Sequence, residues 1–395
     1  MTNKDIVSRG QEYVMNTYSR FPIAPVKGKG AYLWDADGKQ YLDFVGGIAV
    51  CVLGHCDDRL QAVIKEQAGN LWHISNLYWN QPQVDLAEKL VNVSGLGKAF
   101  FCNSGAEANE AAIKLVRKYF YRKKEAGRNQ MIVFNHSFHG RTLATVRATG
   151  QEKYQEGFAP LPDGFVYADY NDLGSVEKLI TDQTAAIMVE PIQGEGGIHP
   201  ADPIFLKGLR RICNREGILL IFDEVQCGIG RTGQFFAYQT YGVTPDIVTM
   251  AKGLGGGFPI GAMLASNEAA SGFAPGDHAS TFGGNPLATA VGNKLVAIVT
   301  EPSFALGVQQ SSDRIRESLG NLQDPRMIEV RGRGLMIGIE FNQDVKDLVQ
   351  ICMQKGLLVI GAGPRVVRLV PPLNINEKEI KQALTLFKDA LKQWK

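Results

Sequence analysis

Lys252 stands between a short apolar run, Ile247-Val248-Thr249-Met250, and a glycine-rich stretch, Gly253-Leu254-Gly255-Gly256-Gly257. A lysine so placed meets the needs of a Schiff-base nucleophile. Partial desolvation keeps its amine neutral part of the time, and a backbone nearly bare of side chains lets a flat group approach. The plain alternative is a surface lysine following a strand, and residues upstream decide between the two.

Ser104-Gly105-Ala106-Glu107 opens an amphipathic helix directly after the apolar run 98–102. Ser104 and Glu107 have capping-box spacing, and a helix N-terminus with glycine is a ready anion site because its first N–H groups lack acceptors. The same residues are also consistent with a cap and nothing more. Asp223 and Glu224 end the apolar run 218–222, where an unpaired charge is costly. A cationic partner is expected for one of them: a protonated pyridine nitrogen at ~4 Å is worth about 4 kcal/mol at an effective dielectric near 20. That is roughly three pKa units, enough to keep such a nitrogen protonated at neutrality; a structural salt bridge is the alternative. His136-Ser-Phe138-His-Gly-Arg141 offers an aromatic face and a planar cation in a loop after a strand.

Two rival motifs fail on context. Gly228-Ile-Gly230-Arg-Thr-Gly233 has dinucleotide-fingerprint spacing, but Asp-Glu-Val-Gln-Cys separates it from the strand and the aromatic Phe235-Phe236 follows. Cys102 occupies the first glycine position of a serine-hydrolase elbow around Ser104. An anion cradle, an aromatic plate, a buried acid and a lysine, each just after a strand, instead fit the phosphate, ring face, ring nitrogen and aldehyde of pyridoxal phosphate.

The elements that must position these residues alternate. Helices are expected at 60–68, 80–93, 104–125, 175–182 and 205–216, with short apolar strands at 98–102, 131–134, 185–189, 218–222 and 247–250. Two-sidedly apolar strands separated by helices predict a mostly parallel sheet covered on both faces, with a ligand beyond the C-terminal strand ends. Before it come an N-terminal helix and a hairpin turning at Asp37-Gly38, and after about residue 300 the texture becomes that of a separate α+β lobe. A net charge of +2 gives no field for nucleic acid, and no apolar run is long enough to span a membrane. Six scattered cysteines without a C-x-x-C pair or metal-ligand spacing predict reduced thiols in a cytoplasmic protein and no metal site. Residues 1–21 carry acids and lack an apolar core, so neither a signal nor a transit peptide is read there.

In these motifs the chain resembles the class III (ω-amino) pyridoxal-phosphate aminotransferases. The likeness runs from Tyr18-Ser-Arg-Phe-Pro22 through Gly46-Gly-Ile-Ala-Val50, Asn103–Asn109, Phe138–Thr142, Glu190–Gly196, Asp223–Gln226, Ala251-Lys252 and Thr281–Asn285 to Arg368–Pro372. It implies an α/β fold of the fold type I transferases. A large domain with a mostly parallel seven-stranded sheet would span 58–300. The arm and small-lobe segment would be 1–57, and a C-terminal small α+β domain 301–395. By the same resemblance Lys252 binds the cofactor covalently and moves the proton, Asp223 faces the pyridine nitrogen, and Gln226 donates to the ring's phenolic oxygen. Phe138 and Val225 would sandwich the ring. Ser104, Gly105 and Ala106 would hold the phosphate, with Thr281 entering from a second subunit and Ser280 beside it on the substrate side. Tyr18 and Arg141 would meet a distal carboxylate, and Arg368 the carboxylate on the reacting carbon of glutamate. Glu195 would be the switch residue that releases Arg368. Small-molecule substrates and a homodimer with shared sites follow. Ile48 stands where related ornithine enzymes carry tyrosine, which suits a donor with an acylated α-amine. Where the family often reads Gly-His-Cys-His-Pro, this chain has Gly54-His-Cys-Asp-Asp58, expected to alter a helix start and not the chemistry.

Overall fold

In the computed structural model, which describes residues 1–395, the apolar runs lie side by side in one seven-stranded sheet. Its order is Lys98–Cys102, Gly261–Ala265, Ile247–Met250, Leu219–Asp223, Thr184–Val189, Gln130–Phe134 and Phe165–Ala168. Neighbours pair in parallel, except that Gly261–Ala265 runs antiparallel to both strands beside it. Thr184–Val189, Leu219–Asp223 and Ile247–Met250 are buried at every position, which is why they read as continuous apolar runs without alternation. Two strands of the sheet carry weak sequence signals. Gly-Ala-Met-Leu-Ala at 261–265 has no β-branched residue, and Phe165–Ala168 is a four-residue edge strand.

The flanking helices begin and end where side chains satisfy their free backbone groups. Gly105–Arg122 is capped by Ser104, whose side chain accepts from the Glu107 N–H. Glu107, however, does not close the expected capping box: its carboxylate reaches one residue further back, to the Asn103 N–H at 2.6 Å. Pro203–Glu216 starts on Asp202 with proline in its first turn and stops at Gly217, whose φ of 63° is the left-handed conformation that glycine adopts without strain. The unusual Asp57-Asp58 pair does set a helix start. Asp57 caps Asp58–Ala68, accepting from the N–H groups of Arg59 and Leu60 at 3.0 and 3.4 Å.

Of two four-stranded sheets beside it, the first joins the chain's ends and the second is wholly C-terminal. Pro25–Lys29, Tyr32–Asp35 and Gln40–Asp43 form an antiparallel meander that turns at Gly38, and Leu357–Leu358 adds to it in parallel beside Leu42 and Asp43. Met327–Arg333, Met336–Phe341, Val366–Leu369 and Ile360–Gly361 make the other, packed by helices Pro302–Gly320 and Lys346–Gln354. No helix is long and apolar enough to cross a membrane. Replacing Asp57 by alanine removes one N-cap, and we expect it to cost about 1 kcal/mol and lower the melting midpoint by about 1–2 °C. Turnover should be unchanged; an unaltered midpoint would mean that Asp57 does not carry this helix start.

Candidate active site

The candidate residues follow the C-terminal ends of parallel strands. Asp223 closes Leu219–Asp223, Glu190 follows Thr184–Val189, the 136–141 loop follows Gln130–Phe134, Ser104 follows Lys98–Cys102 and Lys252 follows Ile247–Met250. Lys98–Cys102 runs the same way as the parallel strands, because it is antiparallel to Gly261–Ala265, itself antiparallel to Ile247–Met250, so all of these residues reach one edge of the sheet.

Asp223 is only 4% exposed and is held entirely by donors. One oxygen accepts from Asn109 Nδ2 and faces His139 Nδ1, each at 2.8 Å, and the other accepts from the Val225 N–H at 3.0 Å. A carboxylate acceptor places the imidazole proton on Nδ1. Thr249 Oγ1 donates to Asn109 Oδ1 at 2.6 Å, which fixes the amide so that its nitrogen points at Asp223. His139, Asn109 and Thr249 escaped sequence reasoning. The first two lie inside quoted motifs, but nothing in their spacing links them to Asp223. Glu224, the neighbouring acid, faces the opposite side of the strand and accepts from the N–H groups of Ala237 and Tyr238 at 2.6 and 2.7 Å. Burial pushes its carboxyl up to about 8, against the pull of those two donors.

Around this acid the backbone leaves a cleft. A Cβ on Gly105 would lie 2.7 Å from Val225 Cγ1, and one on Gly140 would lie 2.9 Å from Ala106 Cβ. The helix start is thus pressed against Val225 on one side and the 138–140 loop on the other. Gly105, Ala106, Phe138 and Val225 all remain partly exposed there, and the first-turn N–H groups have no intrahelical acceptor. Lys252 lies in the left-handed region with φ 37°, uncommon for a side chain of its size. Burial lowers its amine below the usual lysine value; Glu195 and Asp223 oppose this and Arg368 adds to it.

The C-terminal strand Val366–Leu369 brings in Arg368, which is fully buried. Its NH1 donates to Glu195 Oε1 at 2.6 Å, to Gln226 Oε1 at 3.0 Å and to the Gly194 carbonyl at 3.2 Å. Gln226 Nε2 in turn donates to Glu195 at 3.2 Å, closing a triangle. Burial alone would raise the Glu195 carboxyl, but Arg368 holds it below the ordinary carboxylate range.

Other expected residues lie further out. Arg141 is exposed, its guanidinium 4.0 Å from the Tyr154 ring centroid and 5.5 Å from that of Phe138. Tyr18 is 70% exposed and lines an open cleft between the N-terminal arm and the 43–47 loop. Ser280 Oγ accepts from Asn103 Nδ2 at 3.2 Å, beside the helix start, whereas Thr281 is exposed.

The donor set fits pyridoxal phosphate. An anion cradle adjoins two partly exposed apolar residues, a buried carboxylate is fixed by neutral donors, and a lysine of lowered basicity stands close enough to feel that carboxylate. Fold and site together define a fold type I pyridoxal-phosphate transferase. The family model for class-III aminotransferases matches residues 13–391, and the chain belongs to that family. It is 50% identical over 391 residues to an acetylornithine aminotransferase of Caldanaerobacter subterraneus subsp. tengcongensis, covering 98% of this chain and 99% of that protein. A succinylornithine transaminase of Yersinia pseudotuberculosis is 48% identical over 394 residues, covering 97% and 95%. Among solved structures, an ornithine aminotransferase of Toxoplasma gondii with partial occupancy of pyridoxal phosphate at its active site superposes with a TM-score of 0.96. That pair shares 33% identity, with 99% and 94% of the chains covered.

Gly105→Ala should force Val225 aside, and we expect cofactor affinity in equilibrium dialysis to fall about tenfold, the equivalent of modest overpacking. Wild-type affinity would show that the helix start is not the cradle.

Proposed function

We propose that the chain reversibly transfers the terminal amino group of N2-acetylornithine to 2-oxoglutarate, giving N-acetylglutamate 5-semialdehyde and glutamate, in cytoplasmic arginine biosynthesis. The observation that carries this reading is a buried arginine whose counter-ion keeps some exposure. Arg368 has a side chain 1% exposed, whereas the Glu195 side chain that answers it keeps 22%. Leaving the guanidinium alone in that interior would be costly, so one anion must always be present.

The two half-reactions supply different anions. N2-acetylornithine carries no carboxylate on its reacting carbon, so Glu195 stays paired with Arg368 while the exposed Arg141 takes the distal carboxylate. Glutamate and 2-oxoglutarate do carry one, and it displaces Glu195. Gln226, bonded to both partners, keeps Arg368 aimed at the vacated position. When bound, pyridoxal phosphate supplies an electron sink for the pair left as the amine-bearing carbon loses its proton. Lys252 Nζ, its basicity lowered by burial, takes and returns that proton. Asp223, held by Asn109 and His139, keeps its negative charge directed at the ring-nitrogen position. Phe138 and Val225 exclude water from the ring faces.

Full-length similarity to an acetylornithine aminotransferase supports the donor. So does Ile48, partly buried in a left-handed turn with φ 63°, whose apolar side chain offers no acceptor to a free α-ammonium. Succinylornithine is the second reading, on the strength of the 48% identical transaminase.

A homodimer completes the site in this reading. Trp72, Leu77, Tyr78, Trp79 and Phe282 are between 61% and 90% exposed. Asn76 ties their segment to the 280–283 loop by donating to the Ser280 and Gly283 carbonyls at 3.1 and 2.8 Å. An apolar strip of this size calls for a covering surface, and a second copy would bring Thr281 to its neighbour's phosphate.

Each donor added without a keto acid should bleach the cofactor's visible absorbance, N2-acetylornithine faster than succinylornithine, ornithine or 4-aminobutyrate, and 2-oxoglutarate should restore it. A faster rival would replace the donor proposed here. Arg368→Ala should slow the glutamate half-reaction by at least a hundredfold while slowing the donor half-reaction far less; equal losses would remove the counter-ion argument.

A further inference from the structure

One buried acid at the same sheet edge has been given no role. Glu190, 6% exposed, directly follows Thr184–Val189, and its main chain is pinned because Tyr170 donates its hydroxyl to the Glu190 carbonyl at 2.8 Å. Its carboxyl spans two loops. Oε2 accepts from the Phe138 N–H at 3.0 Å, and Oε1 accepts from the Gly194 N–H at 3.4 Å. Phe138 is the ring plate of the proposed site. Gly194 precedes Glu195, gives its carbonyl to Arg368 at 3.2 Å, and packs so closely on Gln226 that a Cβ would lie 2.5 Å from Gln226 Cδ. Displacing Gly194 therefore displaces the acceptors that aim Arg368. An acid is costly at this depth, and burial, with the Asp223 charge nearby, pushes its carboxyl well above the ordinary range.

We propose that Glu190 is a positioning residue that fixes the carboxylate-binding loop at Gly194 relative to the aromatic plate at Phe138, and so sets the affinity of Arg368 for the keto acid and glutamate. This rests on the reading of Arg368 as the carboxylate site.

Glu190→Gln separates the two contacts, because a carboxamide has one acceptor oxygen. The shorter bond to Phe138 retains it, and the NH2 group is left facing the Gly194 N–H. In the holoenzyme, amide hydrogen exchange read by mass spectrometry should accelerate at Gly194 and stay unchanged at Phe138. Apparent KM for 2-oxoglutarate and glutamate should rise about five- to tenfold, the equivalent of one lost buried hydrogen bond, with the donor half-reaction within about twofold of wild type. Glu190→Ala should accelerate exchange at both amides and slow both half-reactions. Unchanged exchange at Gly194 in Glu190→Gln would overturn the link between the loops. Faster exchange with equal losses in both half-reactions would overturn the selective role. Failure of the carboxylate reading itself would show separately, as equal half-reaction losses in Arg368→Ala.

Discussion

A negative charge at the end of a fully buried strand is the constraint that the rest of the site satisfies. Asp223 has little water to solvate it, so the fold must supply donors. They come from separate elements: Asn109 from the long helix, His139 from the loop after Gln130–Phe134, and the Val225 N–H from the chain beyond the strand. Thr249, on the adjacent strand, orients Asn109. Satisfying one carboxylate thus fixes helix against sheet and loop against strand. Strand alternation sends Glu224 to the other face, where it caps a helix, so the two acids of one Asp-Glu pair are answered by different donors on opposite sides of the strand.

The second charge, Arg368, is brought by a strand of a different sheet. Gly194 and Glu195 lie in the turn of a small hairpin, Ile192–Gln193 with His199–Pro200, inserted after Thr184–Val189, and Gln226 follows Leu219–Asp223, so the ion pair also joins the C-terminal sheet to segments that leave the seven-stranded one. Arg231 strengthens the same junction. It is 1% exposed, donates to the Leu335 and Pro371 carbonyls at 3.1 and 2.5 Å, and is pushed down to about 9 by burial. Arg231 is met by carbonyl acceptors, whereas Arg368 is met by a carboxylate whose side chain keeps 22% exposure.

Some of the chain's left-handed residues fall on candidate positions. Lys252 has φ 37°, and Ile48 and Ala49 have φ 63° and 62° directly after Gly46 and Gly47. Residues held in the left-handed region cost of order 1–3 kcal/mol and persist where surrounding contacts over-determine them. Asp43 provides such contacts for the second segment, accepting from the Val45 and Gly46 N–H groups at 2.8 and 3.0 Å while His55 Nε2 lies 2.7 Å from its other oxygen.

The sequence by itself determined the class of fold and the chemical inventory. Fully buried parallel strands leave continuous apolar runs, and Lys252, Asp223 and the Ser104-Gly105 helix start announce themselves because lysines, acids and caps at strand ends need a reason. It was silent where periodicity is weak: Gly261–Ala265 has no β-branched residue, although it joins Lys98–Cys102 to the rest of the sheet. Partners distant in the chain were likewise invisible. Nothing in residue type says that His139 and Asn109 hold Asp223 and not Glu224, that Glu107 reaches Asn103, or that Glu190 spans Phe138 and Gly194. Only the tertiary structure decided that Glu195 meets Arg368 across 173 residues of chain, because a hydrogen bond is set by distances of about 3 Å and local propensity carries no such information.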